Sequence, residues 1–328
     1  MTNSKPYCVP TELAGQTLAA VVRAQLPGSS WSQVAKQIER SAVRVNQVAC
    51  LDAARRMKVG DLVEIGQTAA KLTNWSEQVR LLHVDHHLAV VEKPTGLLTE
   101  RRPEERNWSA RRKAIHPTLD EVLPNLLADS RTPRRGQNRN VPRVILVHRL
   151  DRDTSGVLVV ARTTQASLGL THQFRQHTAQ RVYRVVVVGH PGTQTIQSRF
   201  VRDRGDGLRG SVEAAPVGKD AITHVRELER IGPYSVIECR LETGRTNQIR
   251  IHLAERDCLV CGDVKYNRRL DGSPFTDDSQ APRLALHAME LEFVHPISQQ
   301  AMKFLSPCPA DLEHFILRLR QTTHATSS

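Results

Sequence analysis

The sequence predicts an α+β protein with two domains, and three observations support this. The chain has 328 residues, more than a single hydrophobic core usually spans. Apolar runs rich in β-branched residues, such as residues 144–147 and 157–160, are typical of buried strands. Residues 15–66 instead follow a helix-helix-strand pattern, in which Leu18, Val21 and Val22 recur at helical spacing. We therefore expect a small N-terminal domain and a larger, sheet-containing domain over residues 80–320.

The composition favours a polyphosphate partner. Lysine and arginine number 46 against 34 acidic residues, a formal net charge of +12. Nucleic acid matches this charge better than a membrane does, because the sequence contains no basic amphipathic helix and no membrane-spanning run. The first residues, MTNSKPYCVPTEL, lack the apolar segment of a signal peptide, so we expect a cytoplasmic protein. Six scattered cysteines indicate no disulfide framework. Nothing in the sequence indicates an obligatory protein partner, and we expect a monomer.

The stretch VILVHRLDRDTSGVLVVAR, residues 144–162, places a tight polar loop between two predicted strands. Its Asp-Thr-Ser-Gly segment is ordinary turn composition, so one interpretation is that Asp151 and Asp153 only shape the loop. The HRLD sequence followed by TSG, however, resembles the signature of the RluA-type pseudouridine synthases. That resemblance implies that Asp151, directly after Arg-Leu, is the catalytic aspartate.

Two later segments extend the resemblance. ETGRTNQIRIHL, residues 242–253, is similar to the family's TGRTHQIRVHL, with Asn247 where histidine is usual, and a Gly-Asp pair and Tyr266 follow as in the family. QRVYRVVVVG, residues 180–189, is a predicted strand in which alternation puts Tyr183 on a core-facing side. A buried structural tyrosine is the usual explanation of such a position, whereas the resemblance places the active-site tyrosine here.

The resemblance implies a pseudouridine synthase fold, with a mixed, largely antiparallel sheet flanked by helices. It also implies an isomerase that converts specific uridines of structured RNA to pseudouridine. Ribosomal RNA is the favoured partner and transfer RNA is the other possibility. Because the reaction involves no redox step and no transfer to a second molecule, we expect no organic cofactor and no metal. What it requires is an ionised carboxylate that attacks the nucleotide or stabilises charge on the sugar.

The resemblance assigns further roles around Asp151. Arg250 is the guanidinium that offsets the effect of burial on the carboxylate pKa, and Tyr183 stacks on the base and serves as general base or relay. Arg149 is a candidate to fill the stack that a flipped uridine leaves. Three further residues are substrate-binding candidates: Arg245, Asn247 and Lys93. Arg245 is a candidate for contact with phosphate. Lys93 belongs to a Lys-Pro-Thr-Gly turn and could equally be a solvated charge.

The small domain resembles the S4-type RNA-binding domain that often precedes the catalytic domain in this family. We expect residues 1–14 to be an extension, residues 15–66 the domain and residues 67–79 a linker. Its RNA-binding candidates are Lys36, Arg40 and Arg44, although a plain charged surface is the alternative.

Two further segments carry expectations. Residues 100–143 form an insert with a short helix over 119–127 and a basic stretch containing Arg134 and Arg135. We expect this stretch to be a loop that orders on phosphate, with a solubilising segment as the alternative. Residues 321–328 should be a disordered tail.

Two rival functions are open from the sequence. Cys258 and Cys261 form a Cys-x-x-Cys pair, as zinc nucleobase deaminases have, but the His-x-Glu that those enzymes need upstream is absent, which favours a core role for both thiols. The second rival is a catalytically impaired RNA-binding or ribosome-assembly factor on the same fold. The presence of Asp151, Tyr183 and Arg250 together speaks against it, and Asn247 keeps it open.

Overall fold

A computed structural model describes residues 6–40, 42–46, 48–66, 73–128, 143–212 and 218–326. Its strands, in chain order, are β1 (Tyr7–Cys8), β2 (Val43–Val45), β3 (Val48–Ala49), β4 (Leu62–Ile65), β5 (Arg80–Val84), β6 (Leu88–Lys93), β7 (Ile145–Leu146), β8 (Ser155–Ala161), β9 (Gln180–Val188), β10 (Gln194–Val201), β11 (Gly210–Val212), β12 (Lys219–Ile231), β13 (Tyr234–Leu241), β14 (Leu286–Val294) and β15 (Ala301–Leu305). Its α-helices are α1 (Leu18–Gln25), α2 (Trp31–Glu39), α3 (Trp75–Gln78), α4 (Ala110–Ile115), α5 (Leu119–Leu127), α6 (Thr164–Arg175), α7 (Gln248–Ala254) and α8 (Ala310–Thr326). The chain divides into two compact units, residues 1–74 with 108–116, and residues 75–107 with 117–328.

The first unit contains an antiparallel sheet in the order β1-β4-β2-β3 together with α1 and α2. Ser30 caps α2 in a capping box with Gln33, which satisfies backbone amides that the helix itself leaves unpaired. The apolar faces of the two helices are fully buried against the sheet, as the helical spacing of Leu18 and Val21 predicts. Because Tyr7 pairs with Val63 in this sheet, the prediction that residues 1–14 lie outside the domain is wrong.

The second unit is organised by an 11-stranded sheet in the order β11-β10-β12-β13-β9-β14-β8-β6-β5, with β15 beside β14 and β7 beside β8. Neighbouring strands are antiparallel except β8 and β14, which pair in parallel. Gly156 lies at that pairing with a φ of 122°, and a Cβ there would collide with the Ala288 carbonyl. The mixed, largely antiparallel sheet is as predicted.

Strand β9 lies in the middle of this sheet and separates two parts of the core. Tyr183, Val185 and Val187 belong to the main cluster, which also contains side chains of α5 and β8. Val186 faces the opposite side, where α8 covers the sheet. The alternation predicted for β9 is therefore confirmed. Every second residue of this strand, beginning with Tyr183, faces the main cluster.

Two further boundaries differ from the predictions. The segment expected to be a linker, residues 67–79, contains helix α3, whose Trp75 packs on the main cluster of the second unit. The tail expected from residue 321 is helical to Thr326, because α8 continues past Leu319. The helix expected at residues 119–127 is confirmed, whereas Arg134 and Arg135 lie outside the described residues. Across the described ranges, no helix is long and apolar enough to cross a membrane.

Candidate active site

A cavity of about 480 Å³ opens beside the loop that joins β7 and β8, a volume within the range of small-molecule sites. Most of its wall comes from four places in the sequence: residues 147–151 of that loop, the C-terminal end of α6, Arg181 and Tyr183 of β9, and residues 244–250 at the start of α7. Asp151, Tyr183 and Arg250, which the sequence places far apart, all line this one cavity.

The loop that carries Asp151 is hydrogen-bonded to the last residue of β6 and to the turn that follows it. Lys93 Nζ donates hydrogen bonds to the carbonyls of Leu97 at 2.8 Å, Pro94 at 2.9 Å and Arg152 at 3.1 Å. Gly96 N donates to the Arg152 carbonyl as well, at 2.8 Å. These contacts fix the backbone immediately after Asp151.

Lys93 therefore does not have the role predicted for it. Its side chain is completely buried, and its three ammonium hydrogens have three carbonyl acceptors within the protein. Burial lowers the pKa of Lys93 to about 7. The buried position contradicts both sequence alternatives, RNA contact and a solvated turn charge, because each requires an exposed ammonium group.

Arg250 is fixed by a two-point ion pair with Asp263. Nε and Nη2 of Arg250 each donate to one carboxylate oxygen at 2.7 Å, and both side chains are buried. Nη1 donates to Asn247 Oδ1 at 3.3 Å, and Asn247 Nδ2 donates to the Tyr266 hydroxyl at 3.0 Å. Asn247 has a φ of 59°, a left-handed conformation that asparagine tolerates better than most residues. Its amide thus connects Arg250 to Tyr266 at the wall of the cavity.

The ionisation of Asp151 reflects a balance of burial and neighbouring cations. Burial raises the pKa of its carboxyl group, and the Arg250 guanidinium is the largest of the charges that lower it, followed by Arg149 and Lys93. The net effect is a pKa above the ordinary value. Arg250 acts on Asp151 as predicted, but it does not outweigh burial.

Tyr183 is buried on the same cavity wall. Burial raises the pKa of its hydroxyl to about 12, so the side chain is a neutral phenol at physiological pH. This favours the stacking and relay parts of the predicted role over that of a general base, which would need the phenolate.

The other candidates occupy separate places. Arg149 lines the cavity, is half exposed and forms an ion pair with Glu100 at 2.6 Å. Arg245 lines the rim and donates through Nε to the Asp220 carbonyl at 2.8 Å. In the first unit, the three predicted RNA-binding residues are all exposed, two at α2 and one on β2: Lys36, Arg40 and Arg44.

The two thiols of the Cys-x-x-Cys pair lie in the core. Cys258 belongs to the main cluster and Cys261 to the cluster beneath α8. Burial raises the pKa of Cys258 to about 11 and that of Cys261 to about 12, which keeps both as thiols.

Sequence reasoning gave no role to three residues that shape the site. The sequence marks Asp263 only as the second residue of a Gly-Asp pair. His148 lines the cavity, stacks on Phe174 with ring centroids 4.3 Å apart, and accepts a hydrogen bond from Val159 N at 3.0 Å. Arg181 also lines the cavity, and its position two residues before Tyr183 was the signal that could have identified it, since residues i and i+2 of a strand share a face.

Comparison with known proteins agrees with this geometry. Residues 87–255 match the family model described as RNA pseudouridylate synthase, and this span contains Asp151, Tyr183 and Arg250. The chain belongs to this family. It is 35% identical to the ribosomal large subunit pseudouridine synthase D of Nitrosomonas europaea over 99% of this chain and 91% of that protein. The enzyme of the same name from Neisseria meningitidis serogroup A is also 35% identical, over 98% of this chain and 83% of that protein.

Solved structures support the fold. Human RNA pseudouridylate synthase domain containing 4 aligns with a TM-score of 0.56 at 23% identity, covering 74% of this chain and 93% of the human chain. Human RNA pseudouridylate synthase domain containing 1 aligns with a TM-score of 0.54 at 21% identity. The α+β pseudouridine synthase fold expected from the sequence is therefore confirmed for this family member.

Proposed function

We propose that this pseudouridine synthase isomerises uridines of large-subunit ribosomal RNA, with Asp151 as the reacting carboxylate. The observation that carries the proposal is the meeting of Asp151, Tyr183 and Arg250 at one cavity that holds a single carboxylate among its described lining residues. Relatives at 35% identity are named for the ribosomal large subunit, which supports the choice of RNA. An enzyme of ribosomal RNA would act in the cytoplasm.

The proposed mechanism assigns one task to each residue. A flipped uridine enters the cavity, and Asp151 acts on the nucleotide as the N1 glycosidic bond breaks. Tyr183 stacks on the base and, as a neutral phenol, relays the proton that C5 loses after the new carbon–carbon bond forms, while N1, freed from the ribose, gains a proton, so that no proton is lost overall. Arg250, held by Asp263, supplies a fixed positive charge that favours the ionised form of Asp151.

We propose that the first unit is an S4-like RNA-binding domain that increases affinity for the target. Its small antiparallel sheet with two packed helices is compatible with that assignment, and the exposed Lys36, Arg40 and Arg44 would contact phosphates. The alternative of a catalytically impaired binding factor has no observation in its favour, since the three candidate catalytic side chains line one cavity and Asn247 contributes to the placement of Arg250.

The test is Asp151→Asn with Asp153→Asn as its matched control. Asparagine keeps the shape and removes the negative charge, so we expect turnover to fall at least about a thousandfold. Asp153 lies two residues further along the same loop, and Asp153→Asn should reduce turnover only slightly. The readout is chemical mapping of pseudouridine in ribosomal and transfer RNA with and without the protein.

An active Asp151→Asn variant would contradict the catalytic assignment. Modification of transfer RNA alone would contradict the choice of RNA while leaving the activity in place.

A further inference from the structure

Two buried guanidinium groups line the cavity, and the described residues provide a carboxylate partner for only one of them. Arg250 and Arg181 are 6% and 7% exposed. Arg250 has the Asp263 carboxylate, whereas no acidic side chain of the described residues lies within ion-pair distance of Arg181. Placing a cation out of water without a counter-ion is unfavourable. The contrast indicates that Arg181 receives its counter-ion from a ligand.

The contacts of Arg181 leave part of its guanidinium unused. Nη2 donates to the carbonyls of Glu242 at 3.1 Å and Leu241 at 3.4 Å. Nε is buried and has no hydrogen-bond partner. Within the described structure, Nη1 has no hydrogen-bond acceptor either, although other parts of the side chain are well packed, with Cζ 5.6 Å from the centre of the Phe174 ring. A guanidinium has five donors, so an oxyanion can still be accommodated.

Two neighbours of Arg181 leave room for its guanidinium and add no charge beside it, namely Gly244 and His148. Gly244 faces Arg181, and a Cβ at that position would lie 2.5 Å from Nη1, so any other residue would displace the guanidinium from the cavity rim. Burial and the charge of Arg181 lower the pKa of His148 to about 3, which keeps the imidazole neutral. Arg181 is also on the face of β9 that carries Tyr183, and both side chains line the cavity.

We propose that Arg181 is the binding subsite for a phosphodiester that flanks the flipped uridine. The inference rests on the proposed function, because it takes RNA as the ligand. Uracil and ribose are neutral, so the phosphodiester is the anionic group of the target nucleotide, and a planar guanidinium matches its two free oxygens. A phosphate held here places the nucleotide beside Tyr183 and on the wall that Asp151 shares.

The experiment neutralises phosphates one at a time. Short synthetic hairpins carrying the mapped target uridine receive one methylphosphonate linkage, on its 5′ or its 3′ side, with 2′-O-methyl ribose before the linkage. The same 2′-O-methyl hairpin with an ordinary phosphate is the reference. Binding is measured with Asp151→Asn so that the RNA stays unmodified. We expect one of the two linkages to weaken binding about tenfold or more.

The assignment to Arg181 comes from combining the two changes. In an Asp151→Asn, Arg181→Gln protein the same methylphosphonate should cost less than about twofold, because the group that recognised the charge is gone. Arg175→Gln is the matched control, since Arg175 is an exposed cation on the cavity rim and should keep the full tenfold effect. If Arg181→Gln does not fold, Arg181→Lys keeps the buried charge without the planar fork and should reduce the methylphosphonate effect.

The proposal is overturned if the protein with Arg181 intact tolerates both neutral linkages, or if the Arg181 variants retain the full penalty. Pseudouridine formation by the wild-type protein on the all-phosphate hairpin is measured in parallel. Its absence would contradict the proposed function, whereas its presence with no phosphate effect would contradict only the subsite.

Discussion

Asp151, the proposed reacting carboxylate, lies in an environment that opposes its charge. Burial raises its pKa above the ordinary value of about 3.9. The carboxyl group therefore stabilises the fold most when it is protonated at low pH, and this contribution is lost as the pH rises through the raised pKa. At neutral pH the ionised side chain lowers the free energy of unfolding, although the proposed reaction requires this ionised form.

The first residue-scale prediction concerns stability. Asp151→Asn removes the buried charge, so we expect its melting temperature at pH 8 to exceed that of the wild type by a few degrees. Because the wild-type carboxyl group becomes neutral in acid, the difference should shrink as the pH is lowered. Thermal unfolding across this pH range measures it, with Asp153→Asn as the control that should not gain stability. A variant less stable than the wild type at pH 8 would contradict the description of this site.

A second prediction concerns the pH dependence of the rate. If the ionised form of Asp151 is required, turnover should fall as the pH drops, with a midpoint above the ordinary aspartate value of about 3.9. Arg250→Gln removes the largest charge favouring ionisation of Asp151, so this midpoint should move to higher pH. Single-turnover rates between pH 5 and pH 8 give both profiles. Identical profiles would show that Arg250 acts on the site in another way.

The sequence predicts which residues line the cavity better than it predicts their contacts. The HRLD and GRTNQIR signatures identify Asp151 and Arg250, but nothing local indicates that Asp263 supplies the partner of Arg250. The misplaced role of Lys93 has a general cause, since lysine is rarely buried and a turn lysine is normally expected in solvent. Its inward orientation depends on three carbonyls, one of which, that of Arg152, lies far along the chain.

At the scale of elements, the end of β6 and the turn after it stabilise the loop that carries Asp151. Lys93→Met removes the ammonium group that holds the Arg152 carbonyl while keeping an apolar side chain of similar length. We expect turnover to fall about a hundredfold, the effect of a small displacement of a reacting group, while RNA affinity changes little because Lys93 is buried. Lys303→Met, at an exposed lysine of β15, is the control. Loss of affinity with unchanged turnover would instead favour direct RNA contact.

Local patterns predict element bounds well and sheet order poorly. Helix α5 has the bounds that the sequence predicts. The position of β14 between β9 and β8 has no local signal, because parallel pairing joins segments far apart in the chain. The site depends on that order, since it brings the loop before β8 next to the face of β9.

At the scale of the whole molecule, the net charge of +12 predicts RNA binding that weakens steeply with salt. Variants that replace arginine or lysine with glutamine show how much each region of the chain contributes to this salt dependence. Arg134 and Arg135 belong to the basic stretch outside the described residues, and we expect Arg134→Gln with Arg135→Gln to reduce the slope of log affinity against log salt by up to about 1.8 units. Fluorescence anisotropy at several salt concentrations measures the slope, and an unchanged slope would favour the solubilising role of this stretch.

In the proposed function, the first unit contributes separately to RNA affinity. Changing Lys36, Arg40 and Arg44 together to glutamine removes three exposed charges from α2 and β2, and we expect the slope to fall by about 2 to 3 units. Turnover of bound RNA should stay near the wild-type value, because the catalytic candidates belong to the other unit. A triple change at exposed β-sheet cations, Arg226, Arg230 and Lys303 to glutamine, alters the net charge equally and controls for it. Equal slopes for the two triple variants would show that overall charge, and not phosphate contacts of the S4-like unit, determines affinity.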